Sequence, residues 1–143
     1  MKTNIALLIE QSVNVIDSLN KGLRLTPEEQ QLFCEHFERE EIKKNEFTIR
    51  IGDYEKYLYF IESGILRYWT AQEYGDPDKE ITFWFSFPGE FANSYFSLKE
   101  NQPSLIHIQA LTDCVIWKLS KLDLADLYQT SLNINKSAGI VLE

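Results

Sequence analysis

Between Phe47 and Leu119 the chain is cut into short segments that alternate apolar and polar side chains, with turn residues between them. No other feature restricts the fold as much, because a short period-2 run can bury its apolar face only by pairing with other such runs. Phe47, Ile49 and Ile51 alternate with Thr48 and Arg50. Tyr57 to Glu62 and Ile65 to Thr70 follow, split by Ser63-Gly64, which reads as a tight hairpin turn. Gly75-Asp76-Pro77-Asp78 marks a second turn before the aromatic run Ile81 to Phe87. Leu105 to Leu111 and Cys114 to Leu119 make a last pair around Thr112-Asp113. Six to eight short strands at this spacing predict an antiparallel barrel or jelly roll.

Helical periodicity flanks the strands. Ile5, Leu8, Ile9, Val13, Ile16 and Leu19 recur on one face, and Asn20-Lys21-Gly22 supplies a stop. Thr26-Pro27-Glu28-Glu29 places a capping hydroxyl, a first-turn proline and a reciprocating acid ahead of the stripe Leu32, Phe33, His36 and Phe37. Ser120-Lys121-Leu122-Asp123 resembles a capping box before Leu124, Leu127 and Tyr128. A further helix is expected from Ser131, with Ile134, Ala138, Val141 and Leu142 on one face despite Gly139. The predicted class is α+β: an antiparallel β-roll (double-stranded β-helix or jelly roll) with N-terminal helices and C-terminal exit helices. Its expected divisions are a helical segment over 1–41, the roll over 42–120, and an exit helix plus the start of a dimerisation helix over 121–143.

At 143 residues and 44% hydrophobic content the chain suits one domain with one core. It has no run of about 20 apolar residues and no signal-peptide pattern after Met1-Lys2-Thr3-Asn4, which predicts a cytoplasmic location. Its two cysteines, Cys34 and Cys114, make no disulfide framework. The net charge of −8, from 14 basic against 22 acidic residues, argues against direct nucleic-acid binding by this segment, since such surfaces draw affinity from neutralised phosphates. Enzyme signatures are missing too: there is no Ser-His-Asp pattern and no Gly-rich phosphate loop ending in Lys-Ser/Thr. A cupin-like metal site in a β-roll needs several histidines, and the sequence has His36 and His107 alone. Cys34, His36, His107 and Cys114 lack ligand spacing, so no metal and no resident cofactor are expected.

Three segments resemble a known family. Tyr57-Leu58-Tyr59-Phe60-Ile61-Glu62-Ser63-Gly64-Ile65-Leu66-Arg67 looks like the strand–Gly–strand segment of cyclic-nucleotide-binding domains. Phe87-Pro88-Gly89-Glu90-Phe91 is similar to their Phe-Gly-Glu-Leu element with a proline inserted, and Leu111 to Ser120 to the strand pair that closes the roll. The nearest group is the catabolite-activator/FNR (Crp/Fnr) transcription regulators, and this chain is expected to lack the C-terminal helix-turn-helix of that group. The resemblance implies a regulatory sensor for a small effector, a cyclic nucleotide or another anion, and a homodimer through residues after Ser131.

Carried over residue by residue, the resemblance implies a ligand site at Gly89, Glu90, Phe91, Ala92, Asn93, Ser104 and Leu105. Gly89-Glu90 match the family element, and a helix starting there would aim the amides of Phe91, Ala92 and Asn93 at a phosphate. Glu90 has two readings, an acceptor for a ribose hydroxyl or an acid capping a helix turn. The family's phosphate Arg and the residue after it fall on Ser104 and Leu105, and no Arg follows Arg67. Losing that bidentate contact argues against cyclic AMP as a tight ligand, with Lys99 and Lys118 as candidate point charges. A ligand-free dimerisation or interaction module, its pocket plugged by Leu105 and Phe91, is the competing reading.

Overall fold

The computed structural model describes residue 28 and residues 34–72 and 74–130. The helix expected over Ile5 to Leu19, most of the second helix and the helix expected from Ser131 lie outside these residues. Eight strands and two helices follow in order: β1 Glu38–Ile42, β2 Phe47–Ile49, β3 Tyr57–Ser63, β4 Leu66–Ala71, β5 Glu80–Ser86, β6 Phe91–Ala92, α1 Tyr95–Glu100, β7 His107–Ala110, β8 Cys114–Ser120 and α2 Lys121–Thr130. They form two four-stranded antiparallel sheets, ordered β1-β8-β3-β6 and β2-β7-β4-β5. The β-roll expected from the strand pattern is the observed architecture. The core between the sheets joins Tyr59 and Ile61 of β3, Leu66 and Tyr68 of β4, Ile108 and Ala110 of β7, and Cys114 and Ile116 of β8.

The Ser63-Gly64 turn is not a hairpin. β3 pairs with β8 and β6, whereas β4 pairs with β7 and β5, so the chain changes sheets at this point. Thr112-Asp113 is a second such corner, between β7 and β8, and Lys43–Glu46 a third, between β1 and β2. The corners stack and bond to one another: Leu111 N–H donates to the Ile65 carbonyl at 2.9 Å, and Lys44 N–H to Asp113 Oδ1 at 2.8 Å. Gly64 has φ +91°, and a Cβ there would lie 2.5 Å from the Asp113 carbonyl oxygen and 2.8 Å from the Cys114 Cα. Glycine is required at this corner on both counts.

Two other expectations change. β1 begins at Glu38, ahead of the boundary expected at residue 42. Glu38-Arg39-Glu40-Glu41 falls in the helical segment expected over 1–41, yet an outermost strand paired only with β8 can carry these charges outward. The aromatic run of β5, whose alternation predicts one core face and an apolar patch on the opposite face, leaves Ile81, Phe83, Trp84 and Phe85 exposed because β5 is the edge of its sheet. The cap expected at α2 is present: Asp123 N–H donates to Ser120 Oγ at 3.0 Å.

Candidate functional site

Phe87-Pro88-Gly89-Glu90 closes a four-residue turn in which Glu90 N–H donates to the Phe87 carbonyl at 3.1 Å. Proline at the second position and a glycine with φ +87° at the third suit a type II turn. A Cβ on Gly89 would meet nothing within 4 Å, so its backbone angle, not close approach, explains the residue. The turn is pinned to β3 from both sides: Gly89 N–H donates to the Ile61 carbonyl at 2.8 Å, and Ile61 N–H to the Glu90 carbonyl at 3.0 Å. The Glu90 side chain folds back, its Oε1 accepting from Phe87 N–H at 2.8 Å.

The helix expected directly after Gly89-Glu90 starts later. Phe91 and Ala92 form strand β6 against Phe60 and Tyr59, with the Phe91 ring edge-on to Phe60 at 5.2 Å. α1 begins at Tyr95 with Ser94 as its N-cap residue. Phe91, Ala92 and Asn93 are thus strand and connector, because two more residues paired to β3 satisfy the backbone before the helix turns.

Ser104, where the sequence resemblance leads one to expect the family's phosphate Arg, is 1% exposed. Its Oγ lies 2.9 Å from Ser94 Oγ and 2.7 Å from the Ile106 carbonyl, and accepts from Ile106 N–H at 3.2 Å. Beside it stands a residue that the sequence reading did not single out. Glu55 is 4% exposed; its Oε2 accepts from Ser94 N–H at 2.8 Å, and its own N–H donates to Ser97 Oγ at 2.8 Å. Burial pushes the Glu55 carboxyl up to about 7, although backbone N–H groups of Ser94, Tyr57 and Lys56 favour the ionised form. A carboxylate and three serine hydroxyls thus hold the connection between β6, α1 and the segment before β7. Leu105 is 63% exposed and plugs nothing.

Several basic residues near the site are engaged elsewhere. Arg67 donates to Glu80 at 2.6 Å, to Gln109 at 2.9 Å and to Thr82 at 3.0 Å, and stacks over Trp69. Arg50 stacks over Phe47, and Arg39 pairs with Glu41. Lys118 pairs with Glu40 at 3.0 Å, and Lys99 bonds the Tyr95 hydroxyl at 2.8 Å. His107 lies between Trp69 and Phe47 and accepts from Ile51 N–H at Nδ1, 3.1 Å away. Desolvation and then Arg50 lower its pKa, which keeps the ring neutral. Among the described residues no three His, Cys, Asp or Glu side chains converge as a metal site, and no helix is long and apolar enough to cross a membrane.

A cleft of about 380 Å³ opens beside Glu55, lined by Thr48, Ile49, Gly52, Asp53, Lys56 and three tyrosines, Tyr54, Tyr57 and Tyr59. Residues 39–131 match the cyclic nucleotide-binding domain family. The chain belongs to that family. Solved structures agree on the fold. A cyclic nucleotide-binding domain from Methylobacillus flagellatus superposes with a TM-score of 0.80 at 19% identity, over 96% of this chain and 73% of the other. The catabolite activator protein of Thermus thermophilus gives 0.71 at 24% identity, over 82% of this chain and 54% of the other. The sensor domain of the transcriptional regulator DNR from Pseudomonas aeruginosa gives 0.70 at 12% identity, over 95% of this chain and 87% of the other. This chain therefore spans about half the length of the catabolite activator protein. A comparison with curated proteins returned no match.

As a cyclic nucleotide-binding domain this chain is a ligand-sensing regulatory module by family. Glu55 was hidden from sequence reading by its setting, since Gly52-Asp53-Tyr54-Glu55-Lys56 has the composition of a solvated loop. One signal was available. Extending the alternation of Tyr57, Tyr59 and Ile61 back by two places Glu55 on the same face, toward the core.

Proposed function

We propose that this domain is the effector-sensing part of a Crp/Fnr-like transcription regulator, and that it does not hold cyclic AMP in the manner of an Arg-bearing domain. The observation that carries this reading is Ser104, buried and bonded to Ser94 and to the Ile106 backbone at the position matched to the phosphate Arg. A serine hydroxyl gives one hydrogen bond where a guanidinium gives a charged, bidentate pair. The effector is a small nucleotide or another small anion, bordered by Gly89, Glu90, Phe91, Ala92, Asn93, Ser104 and Leu105. Backbone amides and hydroxyls supply its contacts. In this reading the segment catalyses no reaction, works in the cytoplasm, binds no nucleic acid itself, and pairs with a second copy through residues after Ser131. A thermal-shift screen of cyclic mononucleotides, dinucleotides and small carboxylates tests it. A stabilising compound whose effect weakens in Ser104→Ala supports the reading, and a flat screen counts against it.

A second reading, a ligand-free interaction module, has its own support in the closure of the same place by Ser94, Ser104 and Glu55. It predicts a flat screen together with a self-associating chain in sedimentation.

A further inference from the structure

The five residues Gly52 to Lys56 hold three separate parts of the fold at once. Gly52 N–H donates to the Ser104 carbonyl at 2.9 Å, and Ser104 N–H to the Asp53 carbonyl at 2.7 Å. Glu55 bonds the entry of α1 through Ser94 N–H and Ser97 Oγ. The Lys56 carbonyl accepts from the N–H of Lys121, the first residue of α2, at 2.8 Å. Every one of these contacts is made by backbone or hydroxyl groups except the Glu55 carboxylate, so that carboxylate is the single titratable group among them.

Its surroundings define what a proton would do there. From α1 it meets Ser94 and Ser97, which do not titrate. From β3 and β4 it faces the phenols of Tyr59 and Tyr68, both pushed up by burial and so neutral. Asp53, Tyr54, Lys56 and Tyr57 share its cleft, and Lys121 of α2 lines a second cleft with it. No basic side chain pairs with it among the described residues. Oε1 accepts from Tyr57 N–H at 3.4 Å while Oε2 accepts from Ser94 N–H. The ionised form can accept from both, and bonds to a charged acceptor are the stronger kind.

We propose that Glu55 is a proton-controlled tie between the start of α1 and the first turn of α2. Ionised, it accepts from Ser94 and Tyr57 and pins α1 to the segment that also holds Lys121. On taking up one proton, one oxygen becomes a donor and both bonds lose their charged acceptor, which weakens the hold on Ser94 N–H. α1 is then held at this place by the Ser97 bond to Glu55 N–H and the Ser94–Ser104 hydroxyl pair. The proposal is independent of which effector the domain takes. It makes the set of α1 against α2 respond to pH near neutrality, the range in which burial holds this carboxyl.

The test is an NMR titration of the isotopically labelled full chain from about pH 3 to 9, an interval that spans the ordinary carboxylate range and neutrality. It follows the Glu55 side-chain carbon and the amides of Ser94, Tyr57 and Lys121, with the rings of His36 and His107 read separately. The expected result is one shared midpoint at about 7 for the Glu55 carbon and all three amides, lost in Glu55→Gln. A Glu55 midpoint in the ordinary carboxylate range, about 4 to 5, overturns the proposal. So does a flat Ser94 or Lys121 amide while Glu55 titrates, or an amide transition that survives Glu55→Gln or follows a histidine ring. If Glu55→Gln does not fold, the wild-type carbon and amide curves decide alone.

Discussion

The two ends of the roll are built on opposite principles. At one end, three corners carry the chain between the sheets and interlock through backbone bonds such as Leu111 to Ile65 and Asn45 to Ala110. At the other end, Gly52 to Lys56, α1 and Ser104 meet through a buried carboxylate and serine hydroxyls. The corner end is held mainly by backbone bonds, with the Asp113 carboxylate accepting from one backbone N–H, and a steric requirement at Gly64 fixes it. The opposite end rests on polar groups taken from water, whose worth depends on each being paired and on protonation. A fold can thus keep its frame at one end while its response is rewritten at the other.

The largest effect expected from breaking this contrast is at the corner. Gly64→Val combines a positive φ with a Cβ inside the contact distance of backbone atoms, and it should cost roughly 3 kcal/mol or more or prevent folding. Thermal unfolding by circular dichroism checks this; a variant as stable as the parent would show that the corner is not the rigid end.

Next is the pH dependence of stability. The folded-state pKa of Glu55, about 7, is above its value of 4.5 in the open chain, so the folded state holds more protons between these values. Stability should therefore be highest below about 4.5 as far as Glu55 is concerned, and fall by about 3 kcal/mol as pH rises through 7. Denaturant unfolding of the parent and of Glu55→Gln at a series of pH values checks it. The difference between the two curves should level off above about pH 7, and should not vary with pH between about 4.5 and 7 if Glu55 titrates normally.

A smaller change is expected from restoring the missing charge. Ser104→Arg with Glu55→Ala should raise affinity for a cyclic nucleotide by about 10-fold or more, because a guanidinium–phosphate pair is worth about 1.5–3 kcal/mol. No gain would show that the α1 connection has moved too far for an anion to be held. Least is expected of Glu90→Ala, which removes an exposed bond to Phe87 N–H and should cost about 1 kcal/mol or less in unfolding experiments. A large loss would assign Glu90 a wider part in holding the turn.

How much was readable in the sequence divides along the same line. Alternation placed β3, β4, β5 and β8 to within a residue or so of their observed limits, since period-2 burial is a property of the local sequence. Ser63-Gly64 was legible as a turn but not as a corner, because which sheet the next strand joins depends on distant partners. Phe91-Ala92 belongs to a strand for the same reason: its partner is Phe60-Tyr59, some thirty positions back. The absence of Arg at residue 104 was plain from the sequence, whereas the group that answers Ser94 in this structure was not. Glu55 reads as a solvated loop acid until the fold buries it.

The measurement closest to the central claim is calorimetric titration of cyclic AMP into the parent chain, with Ser104→Arg, Glu55→Ala in parallel. With Ser104 bonded to Ser94 at the place expected for the family's Arg, the parent should give no saturable heat at micromolar nucleotide and the double variant should show measurable binding. Saturable micromolar binding by the parent, unchanged in Ser104→Ala, would contradict it.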